Sequence, residues 1–180
     1  LQDRSSGGGS TLSQQIAKNL YPRKSFGPLT MPINKLRESI IAYRLEKLYT
    51  KEEILTLYLN TVPFAENTFG IGVASERFYN KPPSKLKVPE AATLIGMLKA
   101  NNSYNPRKNP ERSLERRNVE IDQMVKYDYI TEAEAKIYKA EPLDLTYNLI
   151  TYAEGPAPYL IEKLRPFLQD WCDNHQKEDN

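Results

Sequence analysis

Two stretches of the chain decide its fold class, and the first is residues 8–19, GGSTLSQQIAKN. The glycines that lead into it favour a loop. Thr11, followed three residues later by Gln14, has the spacing of a capping box, in which each residue caps the other's backbone at a helix start. Apolar side chains then recur at helical spacing, so the stretch predicts a loop followed by a helix over 11–20.

The second stretch is residues 35–60, KLRESIIAYRLEKLYTKEEILTLYLN. It predicts a helix from about Asn34 to Tyr49 and another that begins at a second capping box, Thr50 to Glu53. The intervening residues 21–33 carry three prolines and a glycine, which predict a loop. Alternating β patterns are scarce, so the chain is predicted to be mainly α, with later helices over 90–99, around 114–125, over 132–140 and around 160–171. The helix over 132–140 follows a third capping box, Thr131 to Glu134.

Composition limits the chemistry open to these helices. The chain has 180 residues with 25 Lys and Arg against 23 Asp and Glu, a net charge of +2 that does not favour nucleic acid as a partner. One cysteine, Cys172, excludes a disulfide framework and a cysteine-based zinc site. The one histidine, His175, stands in a polar tail, which argues against Ser-His-Asp or Cys-His catalysis. Any catalysis by this chain must therefore use carboxylates, lysines, hydroxyls or a bound cation.

The glycine run and the helix after it are the first candidate site. Backbone N–H groups at a helix N-terminus attract anions, and Lys18, two turns further on, could add a cation for a phosphate. A flexible linker with an ordinary N-cap explains the same residues, and the spacing is not that of a P-loop.

Glu38 is the second candidate. On a helical wheel it is the only charged residue within an apolar arc formed by Ile41, Ala42, Leu45, Leu48 and Tyr49. A carboxylate there either forms a structural ion pair, with Lys35 or Arg37 as the nearest partners, or faces a cleft and does acid–base or charge-stabilising work on a sugar.

Two further patterns carry less information about function. A basic run over residues 107–117 is interpreted as a solvated helix face. Phe64, Phe69 and Phe78 surround glycines, as would suit either an apolar lip near a membrane or ordinary packing.

Taken together, these motifs resemble one family, the peptidoglycan glycosyltransferase domain (glycosyltransferase family 51) of class A penicillin-binding proteins. Residues 8–19 are similar to its second motif, and residues 35–60 to its third. Residues 69–81 resemble the fourth motif, and Arg117 with Val119 and Met124 is a thin match to the fifth. The third motif's leading arginine is Asn34 here.

The resemblance implies a mainly α, lysozyme-like glycosyltransferase fold that polymerises lipid II into glycan strands. The acceptor's sugar 4-hydroxyl would attack the anomeric carbon of the donor with inversion, expelling undecaprenyl pyrophosphate. Glu38 would be the second acid of the cleft. The substrate-binding residues implied are Gly9, Ser10, Thr11, Gln14, Gln15, Lys18, Arg23 and Lys35. A divalent cation (Mg or Mn) at the pyrophosphate is possible in the family, but no protein ligand set for it is visible.

The resemblance also sets expectations about the rest of the protein. The first motif, which holds the general base, has no counterpart, so we expect it to precede Leu1, the fold to be incomplete at the N-terminus and this chain by itself to be inactive. Residues 1–143 are assigned to the glycosyltransferase domain and 144–180 to a connector toward a transpeptidase domain. The longer protein would be anchored in the cytoplasmic membrane and act at its extracytoplasmic face, whereas this piece would be soluble and could self-associate.

Two other functions remain open from the residues. A lytic enzyme of the same lysozyme-like class would cleave glycan and would need no pyrophosphate site. A non-catalytic helical scaffold of the cell envelope would use Glu38 only as an ion pair.

Overall fold

The computed structural model describes residues 10–148 together with Leu164, Pro166, Phe167 and Trp171. In this part the chain is helical with short connections, as predicted, and two isolated bridges are its only β pairing. The helices are α1 (Leu12–Leu20), α2 (Thr30–Leu48), α3 (Lys51–Thr61), α4 (Ile71–Tyr79), α5 (Val88–Met97), α6 (Pro110–Lys126) and α7 (Glu132–Ala140), with one 3₁₀ turn at Pro83–Lys85.

Capping boxes begin three of these helices where the sequence predicts them. Thr11 with Gln14 caps α1, Thr50 with Glu53 caps α3, and Thr131 with Glu134 caps α7. In each case the threonine hydroxyl accepts a bond from a first-turn N–H that would otherwise have no partner.

The start of α2 differs from the prediction. The helix begins at Thr30, four residues before Asn34, and includes Pro32 in its first turn. A proline fits there because the first N–H groups of a helix have no intrahelical acceptor. Residues 21–29 therefore form a shorter loop than the prolines suggest.

The core lies between α1, α3, α4 and α5. Its largest buried side chains include Ile16, Phe78, Leu94 and Met97. A smaller cluster of Ala92, Ile121 and Ala135 joins α5 to α6 and α7.

Helix α2 adds little to this core, and the predicted apolar arc is only partly correct. Its buried residues are Asn34, Glu38 and Ala42, which follow one another at four-residue spacing. Leu48 and Tyr49 are exposed, because the stripe of α2 that packs against the rest of the chain is rotated toward the polar side of the helix. The face of α2 that meets α1 is therefore partly polar, and this face holds the candidate site.

The chain divides into two units, Leu1–Tyr147 and Asn148–Asn180. The predicted boundary at residue 143 stays a prediction. Of the predicted final helix, Leu164, Pro166, Phe167 and Trp171 are helical, and the rest lies outside the described residues. Within the described part, no helix combines the length and apolarity that crossing a membrane requires.

Candidate functional site

The carboxylate of Glu38 is the centre of the site. The residue is 5% exposed, and each carboxylate oxygen accepts from a different cation. Arg23 Nε lies 2.8 Å from Oε1, and Lys35 Nζ lies 2.9 Å from Oε2. Glu38 is thus an ion-paired residue, as the first interpretation predicts. Its two partners reach the surface, as a role in a cleft would require.

Lys35 links this carboxylate to the start of α1. Its ammonium also donates to Ser10 Oγ at 3.0 Å, immediately before the cap residue Thr11. The positive end of the α1 dipole, the Ser10 hydroxyl and the Lys35 ammonium therefore lie together. Two motifs that are 25 residues apart along the chain form one polar site.

Charge determines the ionisation state of Glu38. Burial raises the pKa of its carboxyl, but hydrogen bonds and charge from Arg23 and then Lys35 outweigh burial, and the pKa lies below its ordinary value. Glu38 is therefore ionised at neutral pH. Two cations around one carboxylate leave a local excess of positive charge, and the side chains of Arg23 and Lys35 are 31% and 44% exposed. The cluster can receive an anion from solvent.

The other predicted site residues differ in whether their side chains lie beside the Glu38 cluster. Gln14 lies beside the cluster, where its Nε2 donates to Oγ of Ser39, the residue after Glu38, at 3.2 Å. Gln15 turns away, because its side-chain oxygen accepts from the Tyr58 hydroxyl of α3 at 3.3 Å.

Lys18 is exposed on α1, and no contact among the described residues joins it to Glu38. Gly9 lies outside the described residues. Arg37, expected as a partner of Glu38, instead donates to the Pro22 carbonyl and stacks on Tyr21.

Asn34 is a residue of this site that the sequence analysis did not assign. Its side chain bonds both the N–H and the carbonyl of Lys24, next to Arg23. The available signal was its position one helical turn before Glu38, which places the two on the same face.

A second carboxylate, the partly buried Glu66, is also not indicated by the sequence. It accepts from Arg107 Nε at 2.8 Å, from Asn105 Nδ2 at 3.0 Å and from the Tyr147 hydroxyl. Burial raises the pKa of Glu66, but these hydrogen bonds and the Arg107 charge hold it below its ordinary value. The partners are about 40 and 81 residues away, so no local pattern indicates the cluster.

The basic run is not a solvated face throughout. Arg117 is 1% exposed and donates to the backbone carbonyls of Lys139 and Glu141. Arg107 pairs with Glu66, as described, while Arg112 is exposed as predicted. Of the three phenylalanines, Phe64 and Phe78 are core residues and Phe69 is 63% exposed.

Comparisons with known proteins show the family of the chain. Residues 1–125 match the family model described as Transglycosylase. Penicillin-binding protein 1A of Pseudomonas aeruginosa is 36% identical over 160 residues, 88% of this chain and 19% of that protein. Penicillin-binding protein 1A of Escherichia coli is 34% identical over 158 residues, 88% of this chain and 18% of that protein.

A solved structure is similar as well. The crystal structure of penicillin-binding protein 1A from Haemophilus influenzae superposes with a TM-score of 0.53 at 32% identity, over 64% of this chain and 17% of that one. The chain thus spans about a fifth of the length of these relatives.

Proposed function

The chain belongs to the transglycosylase family, the glycosyltransferase domain of class A penicillin-binding proteins, and we propose that it serves to polymerise glycan strands from lipid II. Its fold is the mainly α, lysozyme-like fold of that family. The substrates are a lipid-linked sugar donor that carries a pyrophosphate and an acceptor whose sugar 4-hydroxyl attacks the donor's anomeric carbon. As undecaprenyl pyrophosphate leaves and the anomeric centre inverts, the proton of the acceptor hydroxyl passes to a general base, a role that is assigned to none of the described residues.

The ion-paired Glu38 cluster carries this proposal. A pyrophosphate is a dianion or more, and it needs cations that are held in place before it arrives. Lys35 and Arg23 are held by the same carboxylate, from α2 and from the loop before it, and the α1 N-terminus with Ser10 adds donors beside them. This arrangement suits an anion better than a neutral sugar.

The ionised state of Glu38 defines its proposed role. A carboxylate whose pKa lies below the ordinary value is ionised at neutral pH, which suits a group that holds two cations better than a general acid. We therefore assign Glu38 to orienting the two cations toward the leaving pyrophosphate. Lys18, Thr11, Gln14, Gln15 and Gly9 stay in the proposal as cleft residues on the basis of the second motif.

A divalent cation enters the proposal only through the substrate. In the described part of the chain, no three His, Cys, Asp or Glu side chains lie close enough to one another to hold a metal ion. Both oxygens of Glu38 are engaged by Arg23 and Lys35. These residues do not fit a protein-held metal, so Mg or Mn would be carried by the pyrophosphate oxygens.

The remaining parts of the proposal concern the setting. Lipid II and the growing strand place the reaction at the extracytoplasmic face of the cytoplasmic membrane. The proposed partners are these two substrates and the membrane, with a second copy of the chain as a further candidate.

Direct titration with undecaprenyl pyrophosphate in detergent micelles tests the anion site. Lys35→Ala removes one charge-assisted hydrogen bond to the ligand, which is worth about 1.5–3 kcal/mol, so binding should weaken roughly ten- to a hundredfold. Lys47→Ala is the matched control, because Lys47 lies on the same helix but over the Tyr43 ring. Equal affinity in both variants would refute the anion site.

The reaction itself needs a second assay. The matching segment of the Pseudomonas aeruginosa relative can be replaced by residues 10–147 of this chain and the chimera supplied with labelled lipid II. We expect strand synthesis that falls when Glu38 is replaced by Gln. Unchanged synthesis in the Glu38→Gln chimera would refute the role assigned to Glu38, and no synthesis by the parent chimera would favour the scaffold. Release of fragments from isolated peptidoglycan without use of lipid II would favour the lytic enzyme.

A further inference from the structure

Arg23 reaches the Glu38 carboxylate from a loop, whereas Lys35 reaches it from a helix. Lys35 is placed by the regular geometry of α2, three residues before Glu38. Arg23 stands between the end of α1 and the start of α2, in residues 21–29, where no helix sets its direction. Something other than secondary structure must place its guanidinium.

The side chain of Asn34 bonds the backbone of Lys24, the residue after Arg23. Its Oδ1 accepts from the Lys24 N–H at 3.2 Å, and its Nδ2 donates to the Lys24 carbonyl at 2.8 Å. The same Nδ2 donates to the Thr30 carbonyl at 2.7 Å, which fixes the amide against its own helix. Asn34 is 2% exposed, so its amide is shielded from water on its own side of these bonds. The backbone next to Arg23 is therefore clamped to α2.

The far end of the loop is held separately. Thr30 Oγ1 accepts from the Phe26 N–H at 2.8 Å and donates to the Gly27 carbonyl at 2.7 Å. That turn governs where α2 begins and would survive the loss of the Asn34 amide. Among the residues that the structure describes, the only other side-chain hydrogen bond of Arg23 is a weak one of 3.7 Å to the sulfur of Met31. On the other side of Arg23, Arg37 Nη1 donates to the Pro22 carbonyl, but that bond is exposed and long at 3.4 Å. Asn34 is thus the stronger and more buried of the two ties beside Arg23.

We propose that Asn34 is a positioning residue, which clamps the Lys24 backbone so that the Arg23 guanidinium faces Glu38 and the incoming anion. The functional part of this statement rests on the proposed function. Glu38 and Asn34 lie one turn apart on the buried face of α2, so one rigid helix carries both the carboxylate and the clamp that brings its second cation. Binding then costs less ordering of Arg23, as it does for any preorganised site.

Titration of the Glu38 carboxyl by carbon-detected NMR on the whole chain tests the clamp without any substrate. In Asn34→Ala, Arg23 should leave Glu38, so the pKa of Glu38 should rise toward that of Arg23→Ala. The double variant should show no further rise. The Lys24 amide should also exchange with solvent faster than in the parent chain.

Asn101→Ala is the matched control. Its amide makes a comparable bond of 2.7 Å to the Pro63 carbonyl, away from this loop. It should lose stability but keep the titration of Glu38. If Asn34→Ala does not fold, Asn34→Ser supplies the same test, because its hydroxyl can bond the Thr30 carbonyl while releasing Lys24.

Two results would overturn the proposal. One is a folded Asn34 variant in which Glu38 titrates as in the parent chain. The other is a shift in the pKa of Glu38 in the double variant that equals the sum of the shifts from Asn34→Ala and Arg23→Ala. Neither result depends on the reaction. Failure of Lys35→Ala to weaken pyrophosphate binding would instead count against the proposed function and leave the clamp intact.

Discussion

Replacing Gly70 and Gly72 by alanine, one at a time, should change stability in opposite directions although the two residues are neighbours on the same turn. Gly70 precedes α4 with φ +81° and ψ 151°, a backbone region that is essentially restricted to glycine. A Cβ built on it would lie 2.5 Å from the carbonyl oxygen of Asn60, a backbone atom of α3. Gly72 lies inside α4, and a Cβ there meets nothing within 4 Å.

The magnitude follows from these two geometries. At Gly70 the backbone conformation costs a residue with a Cβ about 1–3 kcal/mol. The clash with a backbone oxygen that cannot rotate away costs about 1–3 kcal/mol more. Lower entropy of the unfolded chain returns about 0.4–1 kcal/mol, which leaves a net loss of about 3 kcal/mol. At Gly72 the alanine is unstrained and should stabilise the chain by about 0.5–1 kcal/mol.

Urea denaturation followed by far-ultraviolet circular dichroism measures both effects. We expect the midpoint to fall in Gly70→Ala and to rise slightly in Gly72→Ala, with unchanged slopes, because neither variant alters the surface exposed on unfolding. A Gly70→Ala curve that coincides with the parent curve would refute the argument. So would a Gly72→Ala chain that is the less stable of the two.

Three further predictions use the same assay. Glu38→Gln should lower stability by about 1–3 kcal/mol near neutral pH, because the amide has one acceptor oxygen where the carboxylate has two, so one of the two cations then faces an NH2 donor. The folded-state pKa of Glu38 is depressed, so its contribution to stability is complete above the ordinary glutamate pKa and is lost as pH falls. The difference in unfolding free energy between the parent chain and Glu38→Gln should therefore shrink in acid. A difference that stays constant with pH contradicts this. Tyr147→Phe removes the hydroxyl bonded to Glu66 and should cost about 1–2 kcal/mol, whereas no change would mean that the bond contributes nothing. Arg117→Ala should cost about 2–4 kcal/mol, against less than about 0.5 kcal/mol for the exposed control Arg112→Ala, and similar losses in both would refute the buried role.

Local chemistry explains the features that could be predicted. Thr11, Thr50 and Thr131 each stand three residues before a glutamine or glutamate, and all three capping boxes are present. A cap involves residues within one turn, so its signal is complete in the sequence. The same holds for Lys35 and Glu38, which the helix brings together at three-residue spacing.

Contacts between distant residues explain what could not be predicted. Arg37 and Arg23 are both arginines near Glu38 in sequence, and only the path of the loop determines that Arg23 makes the ion pair. The apolar arc of α2 indicated Leu48 and Tyr49 as buried, but burial depends on which neighbours pack against the helix.

By itself, the sequence determined the helical class, the caps, the family resemblance and the presence of a carboxylate with a lysine at the start of α2. Each of these depends on residues within a few turns of one another. Only the tertiary structure decided that Arg23 completes the cluster, that Asn34 clamps the loop beside it, that Glu66 meets Tyr147 across 81 residues, and that Gly70 but not Gly72 must lack a side chain. These outcomes depend on where separate segments meet in space, and no spacing along the chain encodes that meeting.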